Sequence, residues 1–142
     1  MLRTTVRGRY RQVVRAQGGQ PPDVALYNCS VDQEPRDKGG KLYVSLDAGD
    51  AAGDVELLKA IDEHIHRAAR PAYSPVATMP LLVVKVLAAT RFEDEAGDPV
   101  PAWPLRRGQA VDVVLRPGAF GEFGYCLLLQ RVKPHARAGA AA

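Results

Sequence analysis

The chain is short of several residue types that carry chemistry. Its two cysteines, Cys29 and Cys126, are too few for a disulfide framework and lack metal-ligand spacing, so a reducing, cytoplasmic setting is expected. Histidine is confined to His64, His66 and His135, and Ser30, Ser45 and Ser74 sit in no G-x-S-x-G elbow, which leaves nucleophilic catalysis almost without support. Neither G-x-x-x-x-G-K-[ST] nor G-x-G-x-x-G occurs, so the usual phosphate-cradling loops are excluded. The longest apolar stretch, Met79 to Ala89, is broken by Pro80 and Lys85 and falls far short of a membrane span. Met1 leads into Arg- and Thr-rich sequence with no apolar core, so no secretory signal is expected. Aromatic residues make up only 6% of the chain, with a single tryptophan, which limits any stacking function to a few platforms.

What is present is ordinary for one folded domain. The 142 residues are 46% hydrophobic and 25% charged, enough for a single core but not for two. We expect one domain over residues 1–135 and a low-complexity tail over 136–142 that frays. The net charge of +3 is small, but its distribution is uneven. Residues 1–22 hold five arginines and no acid, giving +5; residues 23–98 hold eight bases and fourteen acids, giving −6. Residues 99–142 hold six bases and two acids, giving +4. Basic ends around an acidic middle form the footprint for a polyanion if the two ends meet in the fold; otherwise they are a solvated surface.

Gly/Pro/Asp clusters punctuate the chain into segments mostly of strand length. Val24 to Val31 reads as one strand. Lys41 to Asp47 alternates, with Leu42, Val44 and Leu46 opposite Lys41, Tyr43, Ser45 and Asp47. Leu81 to Phe92, Val111 to Arg116 and Tyr125 to Lys133 read as three more strands, the last with an apolar middle covered on both faces. One helix is predicted from Asp54, its N-cap, to Pro71, with Leu58, Ile61, Ile65 and Ala68 at helical spacing. Its acids Glu56, Asp62 and Glu63 precede Arg67 and Arg70, the order that suits the helix dipole. The first segment is ambiguous: as a helix it stripes Arg3, Arg7, Arg11 and Arg15, and as a strand it puts Arg7, Arg9 and Arg11 on one face. Gly8 and the Thr and Val pairs favour the strand. The resulting fold class is mainly β, a small OB-like β-barrel with one α-helix inserted between its third and fourth strands.

Two patterns invite a metal reading and have plainer explanations. On a helix, His64 and His66 point roughly 200° apart and cannot share an ion, so they read as surface residues. The acidic run from Glu93 to Asp98 lies beside Gly97 and Pro99, which describes a solvated hairpin loop better than the convergent carboxylates of a metal-dependent nuclease. Gly118, Gly121 and Gly124 follow Arg116-Pro117 as a turn, and both cysteines read as small core residues. No cofactor, metal or catalytic residue is expected.

Basic residues interleaved with aromatics give the strongest signal. Lys41 and Tyr43 share the polar face of one strand, Lys85 and Arg91 share parity in the next, and Tyr125, Arg131 and Lys133 share it in the last. Trp103 lies just before Arg106 and Arg107, and Phe120 and Phe123 flank Gly121. Single-strand binders combine cations that follow the phosphates with aromatic faces for the bases, and need no base-edge code. Lys41, Lys85, Arg91, Arg106, Arg107, Arg131 and Lys133 are the candidate phosphate contacts, with Tyr43, Trp103 and Phe123 as candidate stacking platforms. Arg7, Arg9 and Arg11 extend the path if the first strand lies beside the groove.

The segments Gly40-Lys41-Leu42-Tyr43-Val44-Ser45-Leu46, Leu57 to Ile61, Leu105 to Val113 and Gly124 to Val132 together resemble a bacteriophage-type single-stranded DNA-binding protein with an OB fold. The likeness covers about Gly40 to Lys133 and rests on G-x-x-V-x-V and G-x-x-L-x-L-x-x-V alternation, which other small barrels also fit. It implies a non-enzymatic protein that binds single-stranded DNA with little sequence preference during phage replication or recombination, in the host cytoplasm. Replication or recombination proteins and a second copy of the chain are the further partners it implies. The chain departs from the family in ending without an acid after Glu122, which argues against recruitment of enzymes by an acidic tail. The alternative is a small β-barrel interaction or structural module whose basic ends meet an acidic partner; a nuclease ranks third.

Overall fold

The computed structural model describes residues 23–69, 74–118 and 124–136. Arg7, Arg9, Arg11, Phe120 and Phe123, the first-segment strand and the fraying tail lie outside the described residues. The chain forms β1 (Val24–Lys38), β2 (Lys41–Asp47), a two-residue β3 (Ala52–Gly53), helix α1 (Val55–Ala69), β4 (Leu81–Phe92), β5 (Ala110–Gly118) and β6 (Cys126–Pro134). Among the described residues, no helix is long and apolar enough to cross a membrane.

The strands close into a ring, β1–β2–β4–β6–β5–β1, with β3 pairing on β1. All pairs are antiparallel except β4 with β6. Closure satisfies the strand edges that an open sheet would expose. The ring needs β1 to serve two neighbours, with its first half on β5 and its second half on β2. Register shifts in β1 after Leu26, Val31 and Gln33 bend it from one to the other. The β1–β2 hairpin turns through Gly39 and Gly40 at φ +62° and +81°, the left-handed pair that a two-residue turn matched to strand twist requires. The result is the mainly β, OB-like barrel with one helix that the element order predicts. The helix stands between the third and fourth strands of the described chain, but the third is the short β3; within the ring it follows the second.

Alternation fills the interior. Val24, Leu26, Cys29, Val31, Val44, Leu46, Leu82, Val84, Val111, Val113, Leu115, Leu127, Leu129 and Val132 are all buried. Leu58 and Ile65 of α1 join that core, and Asp62, on the same helical face, turns inward with them. There its Oδ1 accepts hydrogen bonds from the Tyr125 hydroxyl and the Ser74 hydroxyl, both at 2.6 Å. Asp62 is therefore no surface acid of the dipole series; Glu56–Lys59 and Glu63–Arg67 are the pairs on the solvent side. Asp54 precedes the helix, but its carboxylate reaches across to accept the Ala25 amide at 3.0 Å while its own amide donates to the Ala25 carbonyl at 2.8 Å. This reciprocal pair joins the start of α1 to β1.

Candidate nucleic-acid interface

The outer surface of the ring is built by the residues that alternate with the core. One row of cross-strand partners runs Arg36, Tyr43, Lys85, Leu128 and Arg116 over β1, β2, β4, β6 and β5. Tyr43 and Lys85, both candidates from sequence, are thus direct partners, in the geometry where side chains of adjacent strands meet. The Cys126 thiol on β6, across β4 from Tyr43, lies close enough to act on the Tyr43 hydroxyl, so the side chain leans over β4. Burial, with the Cys126 thiol second, holds that hydroxyl above the usual phenol range, and Tyr43 stays neutral at physiological pH. Cys126 is therefore an outward-facing residue under Tyr43, not the core residue expected of it. Cys29 is core, and burial pushes its thiol up to about 12.

A second row, Arg91, Arg131, Val114 and Ala25, crosses β4, β6, β5 and β1, and Lys133 lies opposite Asp112 beside it. Tyr125 does not belong to this face. Leu127 and Leu129 point inward with it, and the register against β5 then slips at Gln130, so Val132 is buried and Arg131 and Lys133 face out. Without that extra residue, Arg131 would enter the core.

The charges differ in how far they are already neutralised. Among the described residues, no carboxylate lies within 4.0 Å of the side-chain nitrogens of Lys41, Lys85, Arg106, Arg107, Arg131 or Lys133. Arg91 is the exception among the candidates: it pairs with the buried Glu93 at 2.6 Å and donates to the Gly97 carbonyl. That contact helps hold the acidic run as a hairpin loop, closed by the Glu93–Pro99 bridge, with the Asp94 carboxylate accepting the amides of Ala96 and Asp98. Arg116, missed at the sequence level although it alternates outward, forms a two-contact ion pair with Asp23 at 2.8 and 3.3 Å. Arg36 was also missed, because Glu34 to Gly40 reads as turn sequence and not as the far half of β1.

Trp103 and the Arg106–Arg107 pair sit on the β4–β5 connection. The indole packs edge-on against Phe92, with centroids 5.3 Å apart and planes at 82°, and its Nε1–H donates to the Glu93 carbonyl at 3.1 Å. It is anchored in the wall of a shallow groove of about 440 Å³ that also includes Arg106 and Pro134. Arg107 lies further round, its amide donating to Glu34 Oε2, because the Gly108 turn is hydrogen-bonded to Val31 on β1. His64 and His66 are exposed on α1. Among the described residues, no three His, Cys, Asp or Glu side chains are grouped to hold a metal ion. The described candidates thus form two groups along the β4–β6 pair: Lys41, Tyr43 and Lys85 towards one end, and Arg91, Arg131, Lys133 and Arg106 towards the other. No family model, curated protein or solved structure matches the chain.

Proposed function

We propose that this protein binds single-stranded DNA with little sequence preference, as a non-enzymatic barrel that covers the strand during replication or recombination. The observation that carries this reading is the Tyr43–Lys85 cross-strand pair of β2 and β4 on the outer face, with Arg131 and Lys133, which have no carboxylate partner among the described residues, on β6 alongside β4. A neutral aromatic ring lying across the sheet suits a base, and cations without carboxylate partners suit phosphates. Lys and Arg already held in ion pairs would have to break them first, which is why the unpaired set matters more than the total.

The test is the fluorescence anisotropy of a labelled oligo-dT of about 20 nucleotides, longer than one barrel of this type covers. Wild-type protein is expected to bind at low salt. Tyr43→Ala should lose about 1–3 kcal/mol of binding while Tyr43→Phe keeps most of it, since the face and not the hydroxyl does the stacking. Lys85→Ala should weaken binding to every sequence alike and reduce the salt slope by about 0.7, one phosphate contact on a single strand. Absence of wild-type binding at low salt would overturn the proposal, and so would wild-type affinity in both alanine variants.

A further inference from the structure

A cleft lies over β1, β5 and β6. Its volume is about 150 Å³, room for a single planar ring system, and its lining includes Tyr27, Asp112, Arg131 and Lys133 above a floor of Ala25 and Val114. The cleft exists because β1 carries a bulge there. The register against β5 slips between Leu26 and Cys29, leaving Tyr27 and Asn28 both outward while Leu26 and Cys29 stay in the core. Asn28 takes the left-handed conformation, φ 66°, and its amide donates to Asp112 Oδ1 at 2.9 Å. Bulges of this kind re-aim a side chain, and here the re-aimed side chain is Tyr27, 46% exposed and the most exposed aromatic described.

The electrostatics of the cleft favour an anion. Asp112 is occupied by the Asn28 amide and by His135, whose Nδ1 lies 2.7 Å away, and Glu93 is neutralised by Arg91. Arg131 and Lys133 have no such partner among the described residues. An exposed aromatic face beside two unpaired cations, in a space the size of one ring system, suits a nucleotide. We infer that the cleft seats one nucleotide of a bound strand, its base against Tyr27 and its two flanking phosphates on Arg131 and Lys133. This inference rests on the single-strand reading above and adds a second contact point to it. Lys85 pairs with Leu128 and Arg91 with Arg131, so the two points lie three residues and on the order of 10 Å apart along β6, with β4 bulging between them. The bound strand therefore runs across β4, β6 and β5 from Tyr43 on β2 to Tyr27 on β1. The rim offers both donors and acceptors, so no one base is selected.

The experiment compares oligo-dT binding by wild type, Tyr27→Ala, Tyr27→Phe and the double variant Arg131→Ala/Lys133→Ala, with urea melts to confirm that each is folded. Tyr27→Ala should bind roughly 5- to 30-fold more weakly and Tyr27→Phe within about twofold of wild type, because stacking needs only the ring face. The double variant should flatten the salt slope by about 1.4, two phosphate contacts on a single strand. A photo-crosslink from an iodouracil-substituted oligonucleotide should map to the peptide containing Tyr27 as well as to the one containing Tyr43. Wild-type binding with Tyr27→Ala unchanged and no crosslink at Tyr27 would overturn the cleft while leaving the Tyr43 face standing. Failure of wild type to bind at all would overturn both.

Discussion

Replacing Asp62 tests how the helix is held to the barrel. Its carboxylate receives the Tyr125 and Ser74 hydroxyls at 2.6 Å each, and His66 Nδ1 lies 3.4 Å from the other oxygen. Tyr125 is 1% exposed, so its hydroxyl cannot turn to bulk water if that acceptor goes. A hydrogen bond to a charged group contributes about 1.5–3 kcal/mol, so two of them set a loss of about 3–6 kcal/mol for Asp62→Ala. Removing a partly buried carboxylate also relieves its own desolvation, which brings the expected loss to about 3–5 kcal/mol. Tyr125→Phe removes one donor and leaves Ser74 on the carboxylate, so it should cost about 1.5–3 kcal/mol. Urea denaturation followed by circular dichroism measures both. With an m-value of about 2 kcal/mol/M, the Asp62→Ala midpoint should fall by about 2 M. The double variant should be less destabilised than the sum of the singles by at least about 1 kcal/mol, because the two residues share one bond. A loss under about 1 kcal/mol for Asp62→Ala, or strict additivity with Tyr125→Phe, would refute the reasoning. Oligonucleotide affinity of the folded Asp62 variant should stay at the wild-type value, since Asp62 lies off both rows of the outer face.

Two further predictions concern the backbone at β3 and the thiols. Gly53 stands at φ +99°, and a Cβ there would lie 2.4 Å from the Ala25 carbonyl oxygen, the acceptor of the Asp54 amide. Gly53→Ala should therefore cost about 3 kcal/mol or more in a denaturant melt, from left-handed strain plus the displaced Ala25–Asp54 pair; a loss below about 1 kcal/mol would contradict this. At pH near 8, a thiol reagent should titrate Cys126 in the native protein and reach Cys29 only on unfolding. Because Cys29 keeps its proton to about 12 when folded, against 9.0 for the free thiol, its contribution to stability is intact below pH 9 and is lost as pH rises from 9 towards 12. Cys29→Ala should flatten that alkaline decline, and an unchanged slope would sink the assignment.

Much of the barrel is legible in the sequence because alternation is enforced by burial on one face. Val44 and Leu46, and Val111, Val113 and Leu115, point inward as their spacing predicts, which puts Tyr43 and Arg116 outside. Alternation fails wherever one extra residue enters a strand. Asn28 and Gln130 are such residues, and they decide that Tyr27, Arg131 and Lys133 face outward while Cys29 and Val132 face in. No pattern of apolar and polar residues announces a bulge; the one cue is Asn28, a residue type that tolerates the left-handed region. Cys126 was misplaced for a related reason: counted from Tyr125 it is the outward residue, but its small size suggested core. Of the two basic ends read from the sequence, residues 1–22 lie outside the described residues. Lys85 comes from the acidic middle and Arg131 and Lys133 from the basic end, and the parallel β4–β6 pairing brings them onto one surface. That pairing joins residues about 40 positions apart, beyond the reach of any local pattern.

The central claim is that unpaired cations on the outer face hold the phosphates of a single strand, and its most direct test is the salt dependence of binding to oligo-dT. Six candidate cations have no carboxylate partner among the described residues: Lys41, Lys85, Arg106, Arg107, Arg131 and Lys133. If all six meet phosphates, the logarithm of the association constant should fall against the logarithm of salt concentration with a slope of about −4. Between about 50 and 200 mM salt that is a loss of about 300-fold. A slope flatter than about −1, or no binding at the lowest salt, would contradict the account.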